Sequence, residues 1–550
     1  MPTAILYALL FLFAPFIGFG QEYMQWPLKT TKLTGNYGEL RPNHFHAGLD
    51  FPGETEINQP IFAVKSGYVS RIKVSPYGYG KVIYITHYDG KLSVYAHQSR
   101  FNDSLNNYVK REQMRQLSYE VELFPSKNEL PIKEGELVGY MGNTGGSTGP
   151  HLHFEIRDEI TEIPLNPLLI YKLIDTIKPV CNAVAFFDVS DSLSSSLIKY
   201  IKVKAKKDSL HGVTDTILLN SSIIGLGFSG YDKEQTDGNS NNIYEAKLYV
   251  DSLIVYHHQL NYLPFDLANY INEFSIEINK QKFQKCFSPE IYPGYLYKFI
   301  ANKGRIELKD TLYHFVKFEF NDEYGSTNEL KLYIKATHVK PYKKTDVTAH
   351  NFLSCRKPYL YSTTNFTIEL APKSVYNSGV INIIDNYVKE KGITISMPNT
   401  SMRFPGLFKF KITQNISDNS SKLIVKNNHS VLIPKINGVY GECNFKSFGT
   451  IEILTDTIAP KIKTAVPIKK LKKIIHSAGS ISFIVTDNLS GIGKYNLYVN
   501  DKWVISEYDA KSNLITYSFP EETPEGELVF LLVVRDKVEN TSTYKLSLLR

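Results

Sequence analysis

The chain has 550 residues, more than one hydrophobic core usually organises, so about three or four domains are expected. Its apolar fraction of 43% and charged fraction of 21% are ordinary for a folded protein and exclude a disordered or low-complexity chain. The formal charge of +7 comes without a long Lys/Arg run, so nucleic acid is not an expected partner, whereas weak attraction to an anionic polymer is compatible with it.

The first twenty residues, MPTAILYALLFLFAPFIGFG, are apolar from Ala4 to Phe19, broken by Pro15, and end in Gly18 and Gly20. The run is shorter than the ~20 residues of a spanning helix, so it reads as an export signal cleaved before Gln21, although no Lys or Arg precedes it. No later stretch approaches transmembrane length, and a chain without a membrane span, in the periplasm or at the cell surface, is expected. Outside the cytoplasm the four cysteines, Cys181, Cys286, Cys355 and Cys443, are free to form disulfides or to stay as buried thiols, and their spacing fits no metal motif.

Between Pro60 and His97 the runs IFAVKSG, YVSRIKVS, KVIYITH and KLSVYAH, with the turn signal Asp89-Gly90, predict an antiparallel sheet. The charged stretch LNNYVKREQMRQLSYEVEL predicts a helix over 105–123. Strand signals resume at GELVGYMG and HLHFEIR, so residues 24–172 read as one β-rich domain with a helical excursion. Beyond it the chain repeats itself. DTIKPV at Asp175 returns as DTIAPK at Asp456, KLYVDSLIV as NLYVNDKWV, and FEFNDEYGSTNELKLYI as LVVRDKVENTSTYKLSL, in the same order. Residues 175–338 and 456–550 are therefore expected to be duplicated β-sandwich modules, which resemble bacterial immunoglobulin-like domains. Residues 340–455 have similar strand content but match neither copy, and are assigned to a further β-rich domain. The predicted class is mainly β.

In HLHFEIR, strand alternation puts Leu152, Phe154 and Ile156 on one face and His151, His153 and Glu155 on the other. In AGLDFPG, Leu49 and Phe51 flank Asp50 in the same way. One histidine on a strand is more often a satisfied core or surface residue. A His-x-x-x-Asp pair and a His-x-His pair together supply three metal ligands with donors to spare, a set that suits Zn²⁺ with one position open to water. The stretches GELRPNHFHAGLDF, VYAHQ and GNTGGSTGPHLHFEIR, in this order between residues 35 and 157, resemble the lysostaphin-like (LytM-type) zinc endopeptidases that cut peptide cross-links in bacterial cell walls.

The resemblance implies His46, Asp50 and His153 as zinc ligands, and His97 and His151 beside a zinc-bound water that acts as nucleophile. One of the two would take the water's proton and the other would stabilise the oxyanion, in an order the sequence leaves open. It also implies peptidoglycan stem peptides as substrate. His44 competes with His46, and the family spacing to the aspartate selects His46. Tyr95 is expected to share the face of His97 and line the cleft, while His87 reads as a strand-end core histidine. Glu155 reads as a supporting residue, and Arg41 and Asn43 as contacts for substrate carboxylate or amide groups. GNTGGSTGP lacks a Gly-Lys-Ser/Thr ending and leads into a strand, which excludes a phosphate loop. Its small residues would let a peptide backbone approach, with Thr144, Ser147 and Thr148 as hydrogen-bond partners. Whether residues 98–134 cover the groove is left open.

The alternative to an enzyme is a catalytically silent wall-binding, regulatory or assembly protein with the same fold, and the presence of all five side chains favours the enzyme. The later modules hold none of the five. They are expected to tether the chain to the wall or to a cell-envelope protein, leaving residues 21–172 competent alone on small peptides. Zinc is expected at about one ion per chain and is expected to be lost in Asp50→Ala. Metal analysis of the variant checks this, and full occupancy would remove Asp50 from the ligand set.

Overall fold

The computed structural model describes residues 24–550 apart from 54–57, 172, 174, 192–193, 204, 207–208, 211–215, 235–238, 340–350, 386–391, 399, 413–419, 429, 476, 478, 521–522 and 524. The expected export signal lies outside the described residues. Among the described residues no helix is long and apolar enough to cross a membrane.

The first sheet is built from β1 (Leu49–Pro52), β2 (Gly67–Val74), β3 (Lys81–His87), β4 (Lys91–Ala96) and β5 (His151–Asp158). Strands β2, β3, β4 and β5 are antiparallel neighbours in that order, and β1 pairs with the other edge of β5 over residues 151–154. Period-two alternation decides which side is packed. Leu49, Phe51, Tyr95, Leu152, Phe154 and Ile156 enter one core with Val69, Ile72, Ile83 and Ile85. Asp50, Ala96 and His153 lie on the opposite face, and register places His153 directly between Asp50 of β1 and Ala96 of β4.

The predicted helix exists but is shorter than expected. α1 runs Asp103–Gln116, capped by the Asn102 side chain, which accepts from the Leu105 N–H at 2.9 Å. Leu117 adopts a left-handed conformation that ends it, and Val121–Leu123 then pairs with β2. The alternation of Val121 and Leu123, both buried, is a strand signal that outweighed the charged helical pattern before it.

Among the described residues, further cores lie beyond this domain. One, spanning residues 181–336, lies between sheets that include Val180–Asp188 and His314–Asn321. A second gathers side chains from Leu353 to Ile451, and a third from Leu471 to Leu548. The repeat seen in the sequence has a structural counterpart. Glu245–Val250 turns into Leu253–Gln259 through Asp251 and Ser252, with φ of 48° and 69°, and pairs with His314–Asn321, which pairs with Thr327–Ala336. Ile492–Val499 turns into Lys502–Val504 through Asn500 and Asp501, with φ of 48° and 61°, and pairs with Glu527–Asp536, which pairs with Thr541–Leu549. Both turns place two successive residues at positive φ, the geometry whose twist matches a tight hairpin. The four cysteines are free thiols, three of them buried.

The first sheet is not independent of the later units. Tyr37 and Phe45 belong to the core of residues 181–336, and the Phe45 ring packs edge-on against Phe274 at 5.4 Å. The Asn36 side chain donates to Glu234 at 2.9 Å, and Asn166 donates to Glu323 at 2.9 Å. From the other side, Lys81 pairs with Glu507 at 2.9 Å and Lys511 donates to the Ser147 carbonyl at 3.0 Å. Cutting at residue 172 would therefore expose two aromatic side chains within ten residues of His46, which bears on the expectation that residues 21–172 suffice alone. Phe45→Ala in the full chain is expected to cost about 3–5 kcal/mol. A lowered urea midpoint checks it, and an unchanged midpoint would mean that Phe45 is not anchored in the second core.

Candidate metal centre and cleft

Each of the four histidines expected at the site, His46, His97, His151 and His153, has one ring nitrogen committed to an oxygen of the chain. His46 Nδ1 lies 2.7 Å from the Asn36 carbonyl, His97 Nδ1 2.8 Å from the Thr144 carbonyl, and His151 Nδ1 2.9 Å from the Gly149 carbonyl. His153 Nε2 lies 2.8 Å from Glu155 Oε1. A carbonyl or carboxylate accepts only, so these nitrogens carry the N–H, and in the neutral ring the other nitrogen is left with a lone pair for a proton or a metal.

Three of the acceptors converge. His46 Nε2 is 3.1 Å from Asp50 Oδ1 and 3.0 Å from His153 Nδ1, which is itself 2.9 Å from Asp50 Oδ1. The other Asp50 oxygen is taken by Arg41, which also pairs with Glu39 at 2.9 Å. Two imidazole nitrogens and a carboxylate oxygen facing one another need a positive charge between them, and this is a donor set that Zn²⁺ accepts. The electrostatics agree. Burial opposes protonation of His153, yet Asp50 and Glu155 on its two sides lift it to about 9. Burial would raise Asp50, but His46 and His153 hold it well below the usual carboxylate range. The residues present fit a single bound cation.

His97 and His151 stand beside this trio, their rings 4.7 Å apart, with His151 Nε2 3.6 Å from Asp50 Oδ1. Burial first, then the neighbouring His153 and His151, hold His97 down at about 3, and burial also lowers His151. The histidines and Asp50 open into a cleft of about 830 Å³. It is lined by the segment 146–151 and by Leu263, Pro264, Phe265 and Ala268 in the second unit. Among the described residues, none of 98–134 lines it, so that segment does not cover the groove.

Residues 44–114 and 122–167 match the sequence profile of Peptidase family M23. The N-terminal domain is an M23 peptidase domain. Over 147 residues it is 29% identical to the DD-carboxypeptidase/endopeptidase Mpg of Neisseria meningitidis, covering 26% of this chain and 27% of that protein. Over 111 residues it is 32% identical to Lysostaphin of Staphylococcus simulans, covering 20% of this chain and 17% of that protein. The chain thus spans about a quarter or less of the length of these curated relatives. Among solved structures, the catalytic domain of the prophage-encoded M23 protein EnpA from Enterococcus faecalis aligns at 27% identity over 26% of this chain and 94% of that one, with a TM-score of 0.19.

Within the M23 domain, His46, Asp50, His97, His151 and His153 all line one cleft. His97 arrives by another route. Alternation along β4 would put it on the core face with Tyr95, but its φ of 59° turns it outward just past the strand end. Tyr95 does not line the cleft. It is fully buried, accepts from the Val64 N–H at 3.0 Å and packs against Phe154. His44 is exposed at the cleft mouth, bonded to the Pro42 carbonyl. His87 is a satisfied core histidine between the Ser66 carbonyl and Ser93. Arg41 serves Asp50 rather than standing free, and Asn43 accepts from Asn272 of the second unit at 3.2 Å.

Of the glycines in the 144–149 loop, Gly145 serves packing, whereas Gly146 and Gly149 line the cleft and have no crowding neighbour where a Cβ would lie. A Cβ on Gly80, at φ 67°, would lie 2.4 Å from Thr144, and one on Gly145, at φ 73°, 2.3 Å from Gly80. The Thr144 hydroxyl is used internally, accepting from Lys81 N–H and donating to the Gln98 carbonyl, so only Ser147 and Thr148 of the three face the cleft.

Two contributors escaped the sequence reading. Asn36 orients His46 through its backbone carbonyl, which leaves no side-chain signature. Tyr79 stacks on His153 with centroids 5.4 Å apart, donates to Glu155, and offers its carbonyl to the His97 N–H at 2.9 Å. Its setting in GYG was the available clue. Glu155, supported by Arg157 at 2.7 Å, is the group that fixes the His153 ring: burial would raise it, but Arg157 and His153 hold it at about 2. Glu155→Gln is expected to weaken zinc affinity by about 10–100-fold while the chain stays folded. Chelator competition measures it, and unchanged affinity would show that Glu155 does not position His153.

Proposed function

We propose that the protein is an exported zinc metalloendopeptidase that hydrolyses peptide cross-links of bacterial peptidoglycan. The observation that carries this reading is that four histidines each have one nitrogen tied back, the free nitrogens of His46, His151 and His153 lying 2.9–3.6 Å from Asp50 Oδ1 and the His97 ring standing beside His151. His46, Asp50 and His153 hold the metal. Zn²⁺ in such a site supplies Lewis acidity, lowering the pKa of a water to about 7 and polarising a carbonyl.

The rest is done by side chains of this chain. His151 receives a proton at Nε2, where Asp50 Oδ1 at 3.6 Å stabilises the charge and the Gly149 carbonyl holds the opposite N–H. That proton then passes to the departing amine, restoring the neutral ring. His97, fixed by the Thr144 carbonyl and held neutral by burial, stands beside His151 with its ring 4.7 Å away and offers Nε2 as a second acceptor for a proton of the water. An extended peptide would lie in the cleft along Ser147–Gly149 and Pro264–Phe265, which line it. The modest positive charge of the chain favours approach to an anionic wall polymer.

Digestion of purified peptidoglycan followed by mass analysis of the released muropeptides tests the reading. The full chain is expected to release cleaved stem peptides. His97→Ala and His151→Ala are expected to keep their zinc and lose about a hundred-fold to ten-thousand-fold in turnover. Wall binding without any release would support the catalytically silent alternative, and loss of zinc from either variant would exchange the roles of ligand and proton carrier.

A further inference from the structure

Away from the cleft, the described residues hold two more carboxylate triads, one in each of the duplicated units. Asp175, Asp232 and Asp322 each bring an oxygen within 4.8 Å of the others, and so do Asp456, Asp487 and Asp536. Asp175 and Asp456 open the two DTI-x-P stretches, and Asp322 and Asp536 stand at the ends of equivalent strands.

The two triads are satisfied differently. In the second, Asp456 accepts from Ile458 and Ser490 N–H through its two oxygens, and Asp536 from Val538 and Asn540 N–H and from the Asn540 side chain at 2.6 Å. Asp487 accepts from Leu489 and Gly491 N–H through Oδ2 alone, its Oδ1 being without a partner among the described residues, so one oxygen of this triad is left over against three of the first. In the first, Ser326 occupies the position of Asn540, and only its backbone reaches the aspartate. Asp322 Oδ1 accepts from Tyr324 and Ser326 N–H, both at 2.8 Å, while its Oδ2 has no partner among the described residues. Asp232 Oδ1 and Asp175 Oδ2 are likewise without one. Asp232 and Asp322 are only 2% and 3% exposed, so water does not compensate them.

Glu234 and Glu323 adjoin the same space, and among the described residues no Lys or Arg pairs with any of the five carboxylates. Burial first, and then the neighbouring acids, push Asp232 up to about 9 and Glu323 up to about 8. Buried carboxylate oxygens aimed at one another without a counter-charge are strongly destabilising unless a cation lies between them.

We propose that Asp175, Asp232 and Asp322 form a Ca²⁺ site. The donors are all hard oxygens, which excludes the soft metals. Three carboxylates that can each bind through one or both oxygens suit the large and variable coordination shell of Ca²⁺ better than the strict octahedron of Mg²⁺. The site also has a route to the cleft. Glu234 accepts from the Asn36 side chain at 2.9 Å, and the Asn36 carbonyl accepts the His46 N–H at 2.7 Å. Calcium would thus stiffen the joint that carries the segment 36–46.

The test uses the full chain, zinc-loaded and free of other divalent ions, titrated with CaCl₂ while thermal unfolding and binding heat are followed. At about a hundred-fold excess over Kd, Ca²⁺ is expected to raise the first unfolding midpoint by about 5 °C or more. In Asp232→Asn and in Asp322→Asn this rise disappears, whereas in calcium-free buffer both variants unfold at or above the wild-type midpoint, because a buried unpaired carboxylate is gone. Asp487→Asn keeps the full rise. Absence of both heat and shift in the wild type overturns the proposal. So does an equal shift with MgCl₂, an equal loss of stability in the Asp232 and Asp322 variants with and without calcium, or disappearance of the shift in Asp487→Asn.

Discussion

The site depends on one repeated interaction: an imidazole N–H given to a fixed oxygen of the chain. His46, His97 and His151 give theirs to backbone carbonyls, and His153 gives its own to a buried carboxylate. A neutral imidazole has one donor and one acceptor, so fixing the donor decides both the tautomer and the direction of the lone pair. Four such choices aim four acceptors at one region, and Asp50, with one oxygen held by Arg41, adds a fifth. The fold can be read as the framework that holds those oxygens still.

Asn36 is held by its bonds to Glu234 and Asn242 and by Tyr37 and Phe45 beside it, all placed by the second unit. Thr144 and Gly149 belong to a loop locked against residues 78–80 by glycines at positive φ. Glu155 sits in the sheet, paired to Arg157 and touched by Tyr79. Asp50 and His153 are thus carried by strands and His46 by the residue just after one, while their orienting groups come both from the sheet, as Glu155 does, and from loops braced by a neighbouring unit. A metal site is sensitive to those outer contacts because they set ring orientation and basicity.

This division explains what was legible in the sequence. Strand alternation in HLHFEIR and AGLDFPG placed His153 and Asp50 correctly, because both lie inside regular strands where side-chain direction follows position. The same rule failed at His97, one residue beyond a strand, where positive φ reverses the face and sends Tyr95 to the core instead. Backbone carbonyls such as those of Asn36 and Thr144 carry no residue-type signal, so their roles emerge only from the folded chain. The duplicated hairpins were readable because their turns demand Asp, Asn or Ser at positive φ in both copies. That a wall of the cleft comes from residues 263–268 was not readable at all, since no local pattern in that stretch distinguishes a surface turn from a substrate contact.

The clamp on the far side of the cleft has a consequence in time rather than in space. Lys511 bonds the Ser147 carbonyl across a sequence separation of 364 residues, and Lys81 bonds Glu507 across 426. Chain segments fold in the order in which synthesis releases them, and contacts between distant parts wait for the later part to emerge. The lip that presents Ser147 next to His151 therefore receives its last support only after residue 511 has been made. Assembly of the cleft is tied to completion of the chain, so a prematurely terminated product would carry every proposed metal ligand and still lack the brace on its substrate edge.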